Sequence, residues 1–297
     1  MRVTEQQLYN SSTLQIVKGW ERLAKVQEQI SSGRRISKPS DDPLAAATIG
    51  ALDESLRRIK DCDNARNTAN TLMQGAESAL GQAVDMFIRV REMAVQANNG
   101  AFGSTGRIGL ALELRELKKQ LVSLSNTEAQ DRYVFAGFNS ATAPFQADGT
   151  FGGDENELSL EISPNLQVKA TLNGSAIFNG VVAGVQQGEN LFNVLESFAT
   201  ALDLNDTAAI GAMLPQIDRA FAQVNRYRTE AGNRQQTLEL ASGYNANLKL
   251  DTTKNKGHNQ DTDVVGASME LALAQQALQA SMATIPKLLA QSIIDRL

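Results

Sequence analysis

At both ends of the chain, large apolar residues return every seven positions: Tyr9, Ile16, Leu23 and Ile30 near the start, Val264, Leu271, Leu278 and Ile285 near the end. A seven-residue step brings a side chain back to almost the same side of an α-helix every two turns. Each stretch can therefore hide its apolar atoms only as a helix laid along another helix. Trp20 and Gln27 follow Ile16 and Leu23 by four residues, so the first seam reads Ile16, Trp20, Leu23 and Ile30. The second reads Val264, Leu271, Leu278 and Ile285, with Ala267, Ala274 and Leu288 on the same stripe. These two seams are expected to pair with each other. One shared seam does not offset the entropy of ordering two long helices, so they are also expected to need further neighbours.

Between the ends the periodicity continues with interruptions. The run SSGRRISKPSDDP, Ser31 to Pro43, stops the first helix at Gly33 and restarts the next with Asp42 as cap and Pro43 in the first turn. Ile49, Leu52, Leu56 and Ile59, then Leu72, Leu80, Val84, Phe87, Ile88 and Val95, predict a very long helix, bent at Gly75 and ending at Asn98-Asn99-Gly100. After the turn Gly100 to Gly106, Leu110, Leu114, Leu117, Leu121 and Leu124 form another seam. The run NTEAQDRYVFAGFNSATAPF then gathers Tyr133, Phe135, Phe138 and Phe145 in a chain that is only 5% aromatic. Large rings bury the most area per residue, so these four are expected to plug a junction between helices and something else.

That something is short strands. ELSLEI (Glu157 to Ile162) and LQVKATL (Leu166 to Leu172) alternate apolar with polar around the turn Ser163-Pro164-Asn165, which predicts a hairpin. Asn173-Gly174 and Asn179-Gly180 add turns. Helical spacing returns with Leu191, Val194, Leu195, Phe198 and Leu202, and Asp206 caps a further helix carrying the row Ile210, Ile217, Val224, Ala231 and Leu238. Pro215 is expected to bend or restart that helix, and Leu250 to Asp263 reads as a polar connection. The fold class is mainly α: an elongated rod of long antiparallel helices with coiled-coil-like seams formed by both chain ends, plus a small β-rich inserted domain. Residues 1–34 and 261–297 are read as terminal coiled-coil assembly helices, 35–140 and 189–260 as the helical rod, and 141–188 as the insert. Entering and leaving through one aromatic junction, the insert is expected to be separable.

Composition narrows the function classes. The net charge of -5 comes without a basic stripe, which argues against nucleic acid. No apolar run approaches the ~20 residues a membrane helix needs, so no membrane insertion is expected. Glu5, Gln6 and Gln7 stand where a secretory signal would place its apolar core, so no cleaved signal peptide is expected. Cys62 and His258 are the only residues of their kinds, which rules out an internal disulfide, a His-based triad and a multi-histidine metal site. GAFGSTG and GTFGG lack the phosphate-loop spacings and read as turns. No nucleophile, base and orienting group come together, so no enzyme activity, cofactor or metal is expected.

Three stretches carry a family resemblance. SGRRISKPSDDPLAAATIGALDESLRR, Ser32 to Arg58, resembles the segment linking the two N-terminal helices of bacterial flagellins. AESALGQAVDMFIRVREMAVQANNG, Ala76 to Gly100, and DTDVVGASMELALAQQALQAS, Asp261 to Ser281, are similar to further conserved stretches of that family. RYVFAGFNSATAPF and the length of 297 residues resemble the branch of the family that forms the hook-filament junction rather than the filament. The resemblance implies an extracellular structural protein of the flagellum, exported by the flagellar type III apparatus and assembling as a short helical layer. The partners it implies are further copies of the chain, hook-associated protein 1, flagellin and an export chaperone. A short flagellin that builds the filament itself and a soluble coiled-coil adaptor are the alternatives.

Overall fold

The computed structural model describes the backbone of residues 2–294 and the side chains of residue 7 and of residues 10–283. Among the described residues six α-helices carry the architecture: α1 (Arg2–Ser32), α2 (Pro43–Ala97), α3 (Ser104–Ser125), α4 (Leu191–Asp203), α5 (Thr207–Gln260) and α6 (Val264–Ile294). Between α3 and α4 lie three two-stranded antiparallel ribbons: β1 (Glu128–Ala129) with β2 (Arg132–Tyr133), β3 (Ser159–Ser163) with β4 (Leu166–Lys169), and β5 (Val181–Val182) with β6 (Val185–Gln186). A single π-helical turn, Ser175–Asn179, precedes β5. The chain divides into two compact units, residues 1–57 with 249–297, and residues 58–248.

The helix boundaries have local causes. Gly33 adopts φ +68°, the left-handed conformation that ends α1 and that only glycine adopts without strain. The Asp42 carboxylate accepts the Ala45 N–H at 3.0 Å and Pro43 opens α2, as the sequence predicts. Asn190, Asp206 and Asp263 cap α4, α5 and α6 in the same manner. Two positions at which the sequence predicts a bend or a restart lie inside continuous helices. α2 runs through Gly75, which serves as a close-approach site: a Cβ there would lie 3.4 Å from the Ala129 Cβ. α5 runs through Pro215, whose missing N–H withdraws only the donor to the Gly211 carbonyl. The stretch from Leu250 is helical as far as Gln260, not an open connection, and His258 sits in the last turn of α5.

In the unit 58–248 one core joins all layers. Leu72, Met73, Leu80, Phe87, Val90 and Ala94 line one face of α2, and the row Ile210, Ile217, Val224, Ala231 and Leu238 is buried along its whole length. Leu110, Leu114 and Leu121 of α3 pack on α4, with Leu117 and Leu124 at the margin. The expected hairpin is present, pairing Leu160 with Val168 and Glu161 with Gln167. Ile162, Ile177 and Phe178 of the segment 141–188 belong to the same core as the helices. The α5 row continues in polar form: Asn245 and Thr252 are buried at the next two seven-residue steps. Asn245 Nδ2 donates to the Ile162 carbonyl at 2.8 Å and to Asp63 Oδ1 at 3.1 Å, fastening the β3–β4 ribbon to the helices.

Candidate functional site

The unit 1–57 with 249–297 contains the seam. α1 and α6 run antiparallel: Arg22 lies opposite Glu270, with Nη2 to Oε1 at 2.7 Å, and Gly19 lies under Leu278, where a Cβ would approach the Leu278 Cδ1 to 3.1 Å. The exposed ion pair adds little stability but marks the register. On α6, Leu278, Ala274 and Ala267 are buried and Leu271 half-buried. On α1, Val26 is buried, and Ile16, Gly19, Leu23 and Ile30 are half-buried. The second position of the α1 repeat thus falls three residues after the first, at Gly19 and Val26, not four residues after at Trp20 and Gln27. A straight helix advances 3.6 residues per turn, so both spacings fit the sequence, and only the close approach at Gly19 selects between them.

Of the eight residues assigned to the seam, Ile16, Leu23, Ile30, Leu271 and Leu278 face it. Trp20 and Val264 are instead 53% and 52% exposed. Ile285 lies outside the residues whose side chains are described. Around the seam, Leu14, Val17, Val265, Met269, Leu273 and Met282 also remain exposed. A groove of about 510 Å³ runs beside Gly19 and Arg22 of α1 and Glu270, Leu273 and Ala277 of α6. So much uncovered apolar surface on one helix pair is a feature of interaction surfaces.

The unit 58–248 holds the rings. Phe135 and Phe145 are buried, Tyr133 is half-buried and Phe138 is 58% exposed, so only part of the crowded run enters the core. The cluster is completed by rings that the run does not contain. Phe135 meets Phe178 edge-on at 5.2 Å between centroids, Phe178 meets Phe145 at 5.3 Å, and Phe145 touches Phe151 at 5.1 Å and Phe192 at 5.6 Å. Edge-to-face pairs of this kind add to the area they bury. Gly149, at φ +91°, lies so close to Phe192 that a Cβ would come within 2.5 Å of its Cγ. Phe151 and Phe178 of the insert and Phe192 of α4 are separated in sequence from the run, and nothing in their spacing announces that they meet it.

Other polar groups serve the scaffold. Arg107 is buried and caps the end of α2, donating to the carbonyls of Ala97 at 3.0 Å and Asn99 at 3.2 Å, and to Asn205 Oδ1 at 2.5 Å. Burial pushes the Cys62 thiol above its ordinary value, with the nearby Glu161 carboxylate adding to it. Among the described residues no group of three His, Cys, Asp or Glu side chains is placed to hold a metal ion, and no helix is long and apolar enough to cross a membrane.

Residues 3–140 match the family model described as the bacterial flagellin N-terminal helical region. Flagellar hook-associated protein 3 of Salmonella typhimurium is 27% identical over 314 aligned positions, covering 99% of each chain. The flagellar filament core protein flaB2 of Brachyspira hyodysenteriae is 22% identical, covering 89% of this chain and 87% of its own. Among solved structures, the flagellar junction protein FlgL of Legionella pneumophila covers 72% of this chain and 100% of its own with a TM-score of 0.59, at 18% identity a likeness of fold. From the N-terminal helices through the capped breaks to the terminal seam, the chain is similar to bacterial flagellins, by the family model over residues 3–140 and by its match to hook-associated protein 3 over 99% of its length.

Proposed function

We propose that this chain is a structural subunit of the bacterial flagellum that assembles helically into the junction layer between hook and filament. The observation that carries this reading is the end-to-end match to hook-associated protein 3, 27% identical over 99% of both chains, against a lower and shorter match to a filament core protein. The uncovered apolar face of α1 and α6 supports self-assembly, because head-to-tail contacts that do not close on themselves generate a helical array. Its assigned partners are further copies of the chain, hook-associated protein 1 on one side and flagellin on the other, with an export chaperone before assembly. The subunit is secreted by the flagellar export apparatus without a cleaved signal peptide and performs no catalysis. Immunogold labelling of intact flagella tests the reading: the label should form a narrow band at the hook end of the filament. Label along the whole filament would make the chain a flagellin instead.

A further inference from the structure

The two breaks in the helical chain, residues 33–42 between α1 and α2 and residues 261–263 between α5 and α6, close on each other. The Arg35 N–H donates to the Gln260 carbonyl at 2.7 Å and the Thr262 N–H to the Gly33 carbonyl at 3.0 Å. Between these bonds Arg34 stands opposite Asp261 in an isolated antiparallel bridge. The Arg35 guanidinium adds a bond to the Asn259 carbonyl at 3.0 Å, and Gln29 Nε2 donates to the Arg35 carbonyl at 3.0 Å. Gly33, at φ +68°, turns its carbonyl out of α1 toward Thr262.

Starting from Arg34 opposite Asp261, the antiparallel register leads to Arg22 opposite Glu270 and Gly19 opposite Leu278. One backbone bridge is therefore in register with the whole seam. α1 and α6 are also the most distant helices in sequence, so their pairing carries the largest loop-closure cost in the chain unless something local holds their inner ends together. We propose that this bridge is a clasp that couples the two helices: when it is closed α1 and α6 order together from their inner ends outward, and when it is open neither does. The inference concerns how the seam forms and is independent of what the seam binds. A subunit built this way presents both halves of its apolar face at once or not at all.

The test locks and breaks the clasp in the full-length chain. The bonds flanking Arg34 and Asp261 make them a non-hydrogen-bonded antiparallel pair, for which the Cα separation is about 4.5 Å, within the range of a disulfide. In a Cys62→Ala background, R34C with D261C should form that disulfide on mild oxidation. Amide exchange in residues 23–32 and 264–274 should then slow by about tenfold or more relative to the same sample reduced. T262P removes one clasp N–H and should speed exchange in both segments together. Exchange around Phe87 and Ile217 should be unchanged in every case and reports that the protein is folded. Failure of the disulfide to form, or its formation with no change in either helix, would overturn the proposal. So would a T262P effect confined to α6, which would be a local change at that helix's start.

Discussion

The ring cluster is where single residues matter most, and burial ranks them. Phe178 is fully buried and touches Phe135, Phe145 and Phe192, so Phe178→Ala should cost about 3–5 kcal/mol in a denaturant titration of the unit 58–248. Phe138, from the same crowded sequence run as Phe135, is largely exposed, and Phe138→Ala should change stability by no more than about 0.5 kcal/mol. The sequence makes the opposite suggestion, since it treats both rings as members of one plug. Its error is physical: adjacency in sequence says that rings are near each other, while burial depends on which way each Cβ points and on partners many residues away. Asn245 illustrates the complementary failure. It lies on the seven-residue row of α5, but a search for apolar periodicity stops at Leu238, the last apolar member. Asn245→Ala removes the donor to the Ile162 carbonyl inside the core and should cost about 1–3 kcal/mol.

Helix starts were legible because capping chemistry is local: Asp42-Pro43 and Asp206 each announce a helix within a few residues. What no local rule contains is tertiary packing, so α5 continues through Pro215, where a restart was one of the two expected outcomes, as a helix packed along its length. The loop before α2 also has a titratable element. The Lys38 N–H at 3.0 Å, then the Lys25 ammonium at 3.2 Å and the Ser37 N–H at 3.2 Å, hold the Asp41 carboxyl below its ordinary value. A depressed carboxyl stabilises the folded loop fully above its ordinary value of 3.8, and that stabilisation is lost as pH falls through the lower folded value. The amide resonances of Ser37 and Lys38 should accordingly move through a transition below pH 3.8 in the natural chain and stay flat in Asp41→Asn. On α6, Leu278→Asp places a charge in the buried seam against Gly19 and should abolish attachment of filament to hook. Val264→Asp sits at an exposed position and should leave the pairing of α1 with α6 intact, as read by amide exchange around Val26.

For the molecule as a whole, the order of parts was legible and the sharing of cores was not. Strand alternation, turn residues and the aromatic run place a β-rich segment between two helical stretches, and the ribbons lie there. Connectivity alone suggests separability, because a segment that enters and leaves at one place looks removable. The packing argues otherwise, because the segment's side chains fill the interior of the helices instead of making a core of their own. Phe145, Phe151, Ile162, Ile177 and Phe178 all lie within 141–188 and all join the helical core or pack against it. A deletion from 141 to 188 would strip three rings from the cluster and uncover Phe135 and Phe192, both otherwise almost fully buried. Each lost aromatic in such a setting costs about 3–5 kcal/mol, and three together approach or exceed the whole stability of an ordinary domain, about 5–15 kcal/mol. The shortened chain should therefore lose cooperative thermal unfolding and become sensitive to protease around Phe87 and Phe198. A deletion variant that melts cooperatively within a few degrees of the natural chain would show instead that the rings only cover a core already complete without them.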